Sequence, residues 1–351
     1  MPTEKNRMKN RLFSVVTSLL VIVIFLAACE IVCRFLVSPD HKFQWPYEET
    51  ARNTLYRFDP HLGWFPKESH GDWFEGSVRF WVQNNSEGFR DVEHDLSKQE
   101  KPRLAVLGDS YVWGYDVEAE DRFTEILRER IPEIEIFNCG VGGYGTCQER
   151  VLYLEKVRKY QPDVVLLAYS GNDRANNLRA IAEGGYARPH YRLKGGQLVL
   201  ENLPLPKMIP YYEEAETVGY FYRCHLWDSL RYAFMKLRIK LEKDPTEALV
   251  VALGEDVAQD GAKYLVAIRA NDTDVEEYCK EHGVECFMVS QYLQDRSTPE
   301  DPVRFTEHGR HWTPKGHRLV AEFVEPIVRS AFGLVEGATP EARGGEPNAD
   351  R

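Results

Sequence analysis

From residue 101 onward, short apolar runs alternate with segments of helical period. Leu104 to Leu107, Ile134 to Asn138, Val164 to Tyr169, Lys263 to Ile268 and Val284 to Ser290 read as strands. Helical patterns fall over Asp121 to Arg130, Gln148 to Tyr160 and Asp274 to His282, with a last one over Gly316 to Phe332. Strands that alternate with helices demand a mostly parallel sheet with right-handed crossovers, hence an α/β fold. Open sheets of this kind carry their chemistry at the carboxyl ends of the strands.

Three of those ends stand out. The first strand ends in Gly108-Asp109-Ser110. Gly108 permits a sharp turn, Asp109 suits a helix N-cap, and Ser110 then stands beside the first turn of a helix. By itself the tripeptide also fits a plain strand-to-helix turn. The second strand runs into Gly140-Val141-Gly142-Gly143-Tyr144-Gly145. Gly140, Gly142 and Gly145 match a dinucleotide-binding GxGxxG by letter. The next strand, however, does not end directly in a ribose-binding acid, and no Walker lysine is present. Free N–H groups in such a loop equally suit an oxyanion site. The third strand ends in Ser170-Gly171-Asn172-Asp173.

Ester hydrolysis through a covalent intermediate needs a nucleophile, a base, a group that orients the base, and donors for the oxyanion. Ser110 is the candidate nucleophile. The N–H of Ser110, the N–H of Gly143 and the Asn172 amide are candidate donors. His311 or His317, late in the chain, can return to the same edge as base.

The blocks Gly108-Asp109-Ser110, Asn138 to Gly143, Gly171-Asn172-Asp173 and His311-Trp312-Thr313-Pro314-Lys315-Gly316-His317 resemble the SGNH/GDSL hydrolase superfamily, in the family's order, over about residues 101–335. The resemblance implies a flavodoxin-like three-layer α/β/α sandwich. It implies Ser110 as nucleophile, Gly143 (with Gly140 as the alternative) and Asn172 at the oxyanion, and His311 as base. Asp109 and His317 take supporting roles, His317 as a structural residue at the start of a helix. One departure matters. The family usually carries an Asp two or three residues before the base, where this chain has Gly309 and His308. Glu307 is the candidate substitute, with Asp301 further upstream. A backbone carbonyl or water could instead orient His311, or the site could be weakened.

The N-terminus constrains location. Lys5, Arg7, Lys9 and Arg11 precede an uncharged run from Leu12 to Cys29, and Ile31 to Val37 continues the apolar pattern past Glu30 and Arg34. Such a run can cross a bilayer, with the basic flank in the cytoplasm. The expected organisation is a cytoplasmic end at 1–11, a transmembrane signal anchor at 12–37 and an aromatic-rich extension at 38–100. The hydrolase domain follows at 101–335, and then a disordered tail at 336–351. A β-hairpin over 191–200 and a helix over Leu226 to Leu241 suggest an inserted cap at about 174–260. Ala27-Ala28 also fits a signal-peptide cleavage site, and Leu26-Ala27-Ala28-Cys29 resembles a lipobox that would make Cys29 a lipidated residue.

A net charge of −11 argues against broad nucleic-acid binding. The seven Cys show no CxxC or Cys/His zinc spacing, so no metal and no cofactor is expected. The leading expectation is an extracytoplasmic, membrane-tethered serine ester hydrolase acting on an ester-bearing lipid or carbohydrate. A polysaccharide O-acyltransferase and a degenerate glycan- or lipid-binding relative are the alternatives.

Overall fold

The computed structural model describes residues 4–36, 55–75, 78–97, 100–182, 187–206, 226–227, 230, 237, 243–306 and 310–334. The expected tail at 336–351 and nearly all of the expected helix over Leu226 to Leu241 lie outside these residues. The chain divides into two compact units, Met1–Trp45 with Met208–Glu242, and Pro46–Lys207 with Lys243–Arg351.

The first unit contains the helix Glu4–Leu36. Its apolar stretch Arg11–Phe35 has 25 residues, long and apolar enough to cross a membrane, a property that a signal sequence shares. Leu12 to Leu26 leave their large apolar side chains exposed. Glu30 and Arg34 pair at 2.8 Å one turn apart, which lowers the penalty of two charges in an apolar helix. Cys29 lies inside this unbroken helix.

The second unit opens with two antiparallel pairs. β1 (Tyr56–Asp59) pairs with β2 (Gly63–Pro66), and β3 (Ser69–Glu75) with β4 (Val78–Asn84). Leu55, Phe80, Val82 and Trp113 form a small core here, with Tyr56 and Tyr115 packed on it. The extension is therefore fastened to the segment just after Ser110. Arg90 strengthens that join. Its buried guanidinium donates to the carbonyls of Trp81 (2.6 Å), Gly114 (2.5 Å) and Val117 (2.9 Å) and lies over the Trp113 ring at 4.8 Å.

The central sheet comprises β5 (Arg103–Gly108), β6 (Glu135–Gly140) and β7 (Val164–Tyr169). After a separate hairpin of β8 (Tyr191–Lys194) and β9 (Gln197–Leu200) come β10 (Lys263–Ile268) and β11 (Glu285–Met288). The order is β11-β10-β7-β5-β6, all parallel. Every residue of β5 and β7 is buried, which is why these strands read as continuous apolar runs. Leu104, Val106, Leu166, Ala168 and Leu265 share one core with the helices Phe123–Arg130 and Pro314–Ala331. By strand alternation, Leu107, Leu167 and Val266 face the opposite side. The helices Thr146–Leu152 and Thr246–Gln259 contact the sheet at β5 and β10. The chain steps from β5 outward to β6, then crosses back to β7. The direction of winding thus reverses between β5 and β7, which opens a crevice at their carboxyl ends.

Three expected elements differ in detail. The helix over Gln148 to Tyr160 is α-helical at Thr146–Leu152, then forms a π turn at Tyr153–Val157 and a 3-10 turn at Arg158–Tyr160. The last strand stops at Met288, because Val289–Gln294 turns helical and buries Val289 and Leu293. The segment 174–260 is divided. The helix Thr246–Gln259, with Leu249, Val250, Leu253 and Val257 fully buried, belongs to the sheet's own layer, whereas 208–242 falls in the first unit.

Candidate active site

Ser110 is the first residue of a one-turn helix, Ser110–Trp113. Asp109 caps it, with Oδ1 accepting the Tyr111 N–H at 3.0 Å. Gly114 closes it in the left-handed conformation (φ 83°) and donates to the Ser110 carbonyl at 3.0 Å. This turn sits directly on the end of β6. A Cβ on Gly140 would lie 2.3 Å from the Trp113 nitrogen and 2.7 Å from the Val112 carbonyl carbon. Asn138 locks the same contact from below, donating to the Val112 carbonyl at 2.7 Å and accepting the Gly140 N–H at 3.1 Å.

His311 completes a relay with Ser110. Its Nε2 lies 2.9 Å from Ser110 Oγ, and its Nδ1 lies 2.9 Å from Asp116 Oδ2. An ionised carboxylate only accepts, so Nδ1 carries the proton and Nε2 turns a lone pair to the serine. Tyr115 stacks on the imidazole at 4.9 Å and Tyr111 flanks it at 5.2 Å. Three backbone contacts deliver the histidine. Phe305 N–H donates to the His311 carbonyl (2.9 Å), Arg304 bridges to Trp312, and the Tyr111 hydroxyl donates to the Arg310 carbonyl (3.0 Å). Trp312 is buried against Tyr111 and Phe123, and Thr313 then caps the helix Pro314–Ala331.

Asp116 is the residue that sequence reasoning missed. Glu307, the expected orienting acid, lies outside the described residues, as does His308. Asp301 is exposed and pairs with Lys315 at 2.9 Å, not with His311. Among the described residues, the carboxylate that meets His311 Nδ1 is that of Asp116, on the Ser110 side of the chain. Asp116 adopts a left-handed backbone (φ 68°), which Asp tolerates better than most residues, and its side chain is fully buried. The available signal was an Asp just beyond the helix-stopping Gly114.

His317 is separate from Ser110. It is buried, and its Nδ1 accepts the Phe123 N–H at 3.3 Å. Burial first, then the nearby Arg122 and Arg90 guanidiniums, push its pKa down to about 3. It therefore stays a neutral acceptor and ties the last helix to Phe123–Arg130.

Gly143 and Asn172 follow β6 and β7 at the same sheet edge. Gly143 is left-handed (φ 81°), and its loop is fixed by Trp64, whose Nε1 donates to the Gly142 carbonyl at 3.0 Å. Among the described residues, neither the Ser110 nor the Gly143 N–H is taken by an acceptor. The Asn172 amide is oriented from both ends. Nδ2 donates to Asp109 Oδ2 at 2.9 Å, while Oδ1 accepts from Arg269 at 3.2 Å. A carboxylate cannot donate and a guanidinium cannot accept, so the amide has one orientation and keeps one N–H for a ligand. Arg269 also donates to Ser170 Oγ (3.1 Å).

Two further carboxyl groups sit at the base of these loops. Glu149 and Asp173 are fully buried. Glu149 finds no hydrogen-bond partner for either carboxyl oxygen among the described residues. Burial, reinforced by the charges of Asp173 and Asp109, holds the Glu149 pKa well above the carboxylate range. Burial and Asp109 do the same to Asp173. Among the described residues no cluster of His, Cys, Asp and Glu could hold a metal ion.

A family model for GDSL-like lipase/acylhydrolase proteins matches residues 106–319. Among solved structures, the chain is similar to the psychrotrophic esterase EstA from Pseudoalteromonas sp., at 10% identity over 66% of this chain and 100% of that one, with a TM-score of 0.40. It is also similar to a catalytic mutant of Axe2, an acetylxylan esterase from Geobacillus stearothermophilus, at 13% identity over 64% and 94%, with a TM-score of 0.38. A third is TesA, at 13% identity over 65% and 99%, with a TM-score of 0.40. No curated protein sequence matches significantly.

Proposed function

The chain belongs to the GDSL-like lipase/acylhydrolase family, and from that premise we propose that it is a serine ester hydrolase working through an acyl-Ser110 intermediate. The observation that carries this reading is the relay of two 2.9 Å contacts, Ser110 Oγ to His311 and His311 to Asp116. Ser110 Oγ attacks the ester carbonyl carbon while His311 Nε2 takes its proton. Asp116 stabilises the imidazolium that results. The carbonyl oxygen, now an oxyanion, accepts from the Ser110 and Gly143 N–H groups and the spare Asn172 amide N–H. A single donor of this kind is worth about 3–4 kcal/mol in the transition state. The tetrahedral adduct collapses, and the alcohol leaves with the proton from His311. Water, deprotonated by His311, then cleaves the acyl-serine bond and releases the acid.

A degenerate, non-catalytic reading rests on the absent Asp before His311. The contact of Asp116 with His311 supplies a carboxylate from elsewhere and supports the catalytic reading over it. We assign the hydrolase unit to the outer side of a membrane, with 12–37 as anchor. Lys5, Arg7, Lys9 and Arg11 ahead of the apolar run support this orientation.

A fluorophosphonate probe tests the chemistry. The full-length protein should be labelled, and Ser110→Ala should lose both labelling and hydrolysis of p-nitrophenyl acetate. An unlabelled native protein, or a labelled Ser110→Ala, would sink the reading.

A further inference from the structure

Arginine is unusually concentrated beside the relay. The Arg269 guanidinium lies over the Tyr111 ring at 3.5 Å from its centre. The Tyr111 hydroxyl reaches the Arg310 carbonyl. Arg304 bridges to Trp312, next to His311. Arg304 is half-buried and Arg310 exposed at the rim. Burial, and then the neighbouring charge of Arg269, push the Arg304 guanidinium below its ordinary pKa, with Arg310 adding to the effect.

None of the three arginines forms an ion pair among the described residues. The side-chain partners of Arg269 are the Ser170 hydroxyl and the Asn172 amide oxygen, both neutral. Burial raises the pKa of Asp173, which Arg269 also feels, well above the ordinary carboxylate range. The Asp109 carboxylate touches Asn172 from the far end of that amide. Several arginines elsewhere are paired, as Arg103 with Glu135, Arg150 with Asp256 and Arg174 with Asp272. Three like charges with no ion-pair partner among the described residues repel one another, most strongly where they are shielded from water. Such an arrangement becomes favourable when an anion arrives. The guanidinium fork matches carboxylate and phosphate oxygens, and charge-assisted bonds to it are roughly twice as strong as neutral ones.

We infer that Arg269, Arg304 and Arg310, gathered round Tyr111 beside Ser110 and His311, form an anion subsite, and that the ester cleaved by this protein carries a carboxylate or phosphate group. The inference rests on the esterase reading and narrows it to a substrate class. Arg304 and Arg310 grip the anion at the rim. Arg269, already committed to Asn172, supplies field from beneath and links the subsite to the oxyanion donors.

Full-length protein in neutral detergent would be assayed with four esters: phenyl acetate, 4-acetoxybenzoate, 4-acetoxyphenyl phosphate and monophenyl succinate. Each rate is normalised to the ester's own hydroxide-catalysed hydrolysis. These place no charge, an alcohol-side carboxylate, an alcohol-side phosphate and an acyl-side carboxylate on otherwise similar molecules. At least one charged ester should exceed phenyl acetate in normalised kcat/KM by about tenfold or more, through KM, and lose the advantage at high salt. Arg304→Ala should pull the charged-to-neutral ratio toward one, and Arg304→Lys should restore part of it. Arg310→Ala, at an exposed position, is the second variant should Arg304→Ala fail to fold. A ratio at or below one for all three charged esters overturns the inference, and so does a ratio that both variants leave intact. If no ester is cleaved and Ser110 is unlabelled, the esterase reading falls on its own. The subsite is then decided by equilibrium binding of phenyl phosphate and 4-hydroxybenzoate. Binding weakened about tenfold by Arg304→Ala upholds it, and no binding overturns it.

Discussion

Asp116 meets His311 across 195 residues of chain, its Oδ2 at 2.9 Å from the imidazole Nδ1. The carboxylate on His311 thus comes from the segment that carries Ser110, the proposed nucleophile. Arg90 braces the segment by binding the carbonyls of Gly114 and Val117 on either side. Asp116→Asn keeps the shape but offers a donor where an acceptor is needed, so the imidazole turns to the wrong tautomer. We expect kcat/KM to fall about 10²- to 10⁴-fold. Glu307→Gln should lose far less. Steady-state kinetics on the two variants decide the matter, and an equal loss in both would remove Asp116 from the orienting role.

Gly140 is a packing prediction. A Cβ there meets backbone atoms of Trp113 and Val112, which cannot rotate away. Gly140→Ala should cost at least about 1–3 kcal/mol of stability and displace the helix that carries Ser110. Denaturant unfolding reads the first effect and the rate of fluorophosphonate labelling the second. A variant with native midpoint and native labelling would show that the helix can shift freely.

The buried Glu149 predicts a stability slope. Its pKa is raised in the folded protein, so the native state holds a proton that the unfolded chain releases near the ordinary 4.5. That contribution is present below 4.5 and is lost as pH rises toward the raised folded value. Glu149→Gln is neutral at every pH and lacks the slope. Between pH 5 and 8, native protein should therefore lose stability relative to the variant. Parallel curves would mean that Glu149 titrates normally.

His317 predicts the opposite sign. Its pKa is pushed down to about 3 from an ordinary 6.5, so the unfolded chain binds a proton that the native state refuses. Stability from this group is complete above 6.5 and drains away as pH falls toward 3, at about 1.4 kcal/mol per pH unit. The imidazole resonances of His317 should stay at neutral positions between pH 5 and 8. A titration midpoint inside that window would contradict its role as acceptor for Phe123.

The α/β rhythm was legible because β5, β7 and β10 are buried on both faces and spell themselves out as apolar runs. The helix Thr246–Gln259 escaped for a related reason. Buried around much of its circumference, Leu249-Val250-Val251-Ala252-Leu253 shows no polar stripe to reveal a helical period. The strand ends marked Ser110, Gly143 and Asn172 as candidates, while the choice of His311 over His317 came from the resemblance of 311–317 to the superfamily. Asp116 was not legible, since its part depends on a left-handed turn and a partner from the far end of the chain. Arg269 was hidden in the same way. It follows an ordinary strand, and only the folded sheet brings it to Asn172.

Ser110, Asp116, Gly143 and Asn172 all precede His311 in the chain, and His311 is set by contacts of 303–306 and 310–313 ahead of the last helix. On the acyl-serine proposal, a ribosome makes the proposed nucleophile, its carboxylate and its oxyanion donors well before it makes the proposed base. On the same proposal, a nascent molecule that ends before His311 would carry Ser110 without its base. The contacts of His311 with Ser110 and Asp116 can form only after the late part of the chain is made and seated.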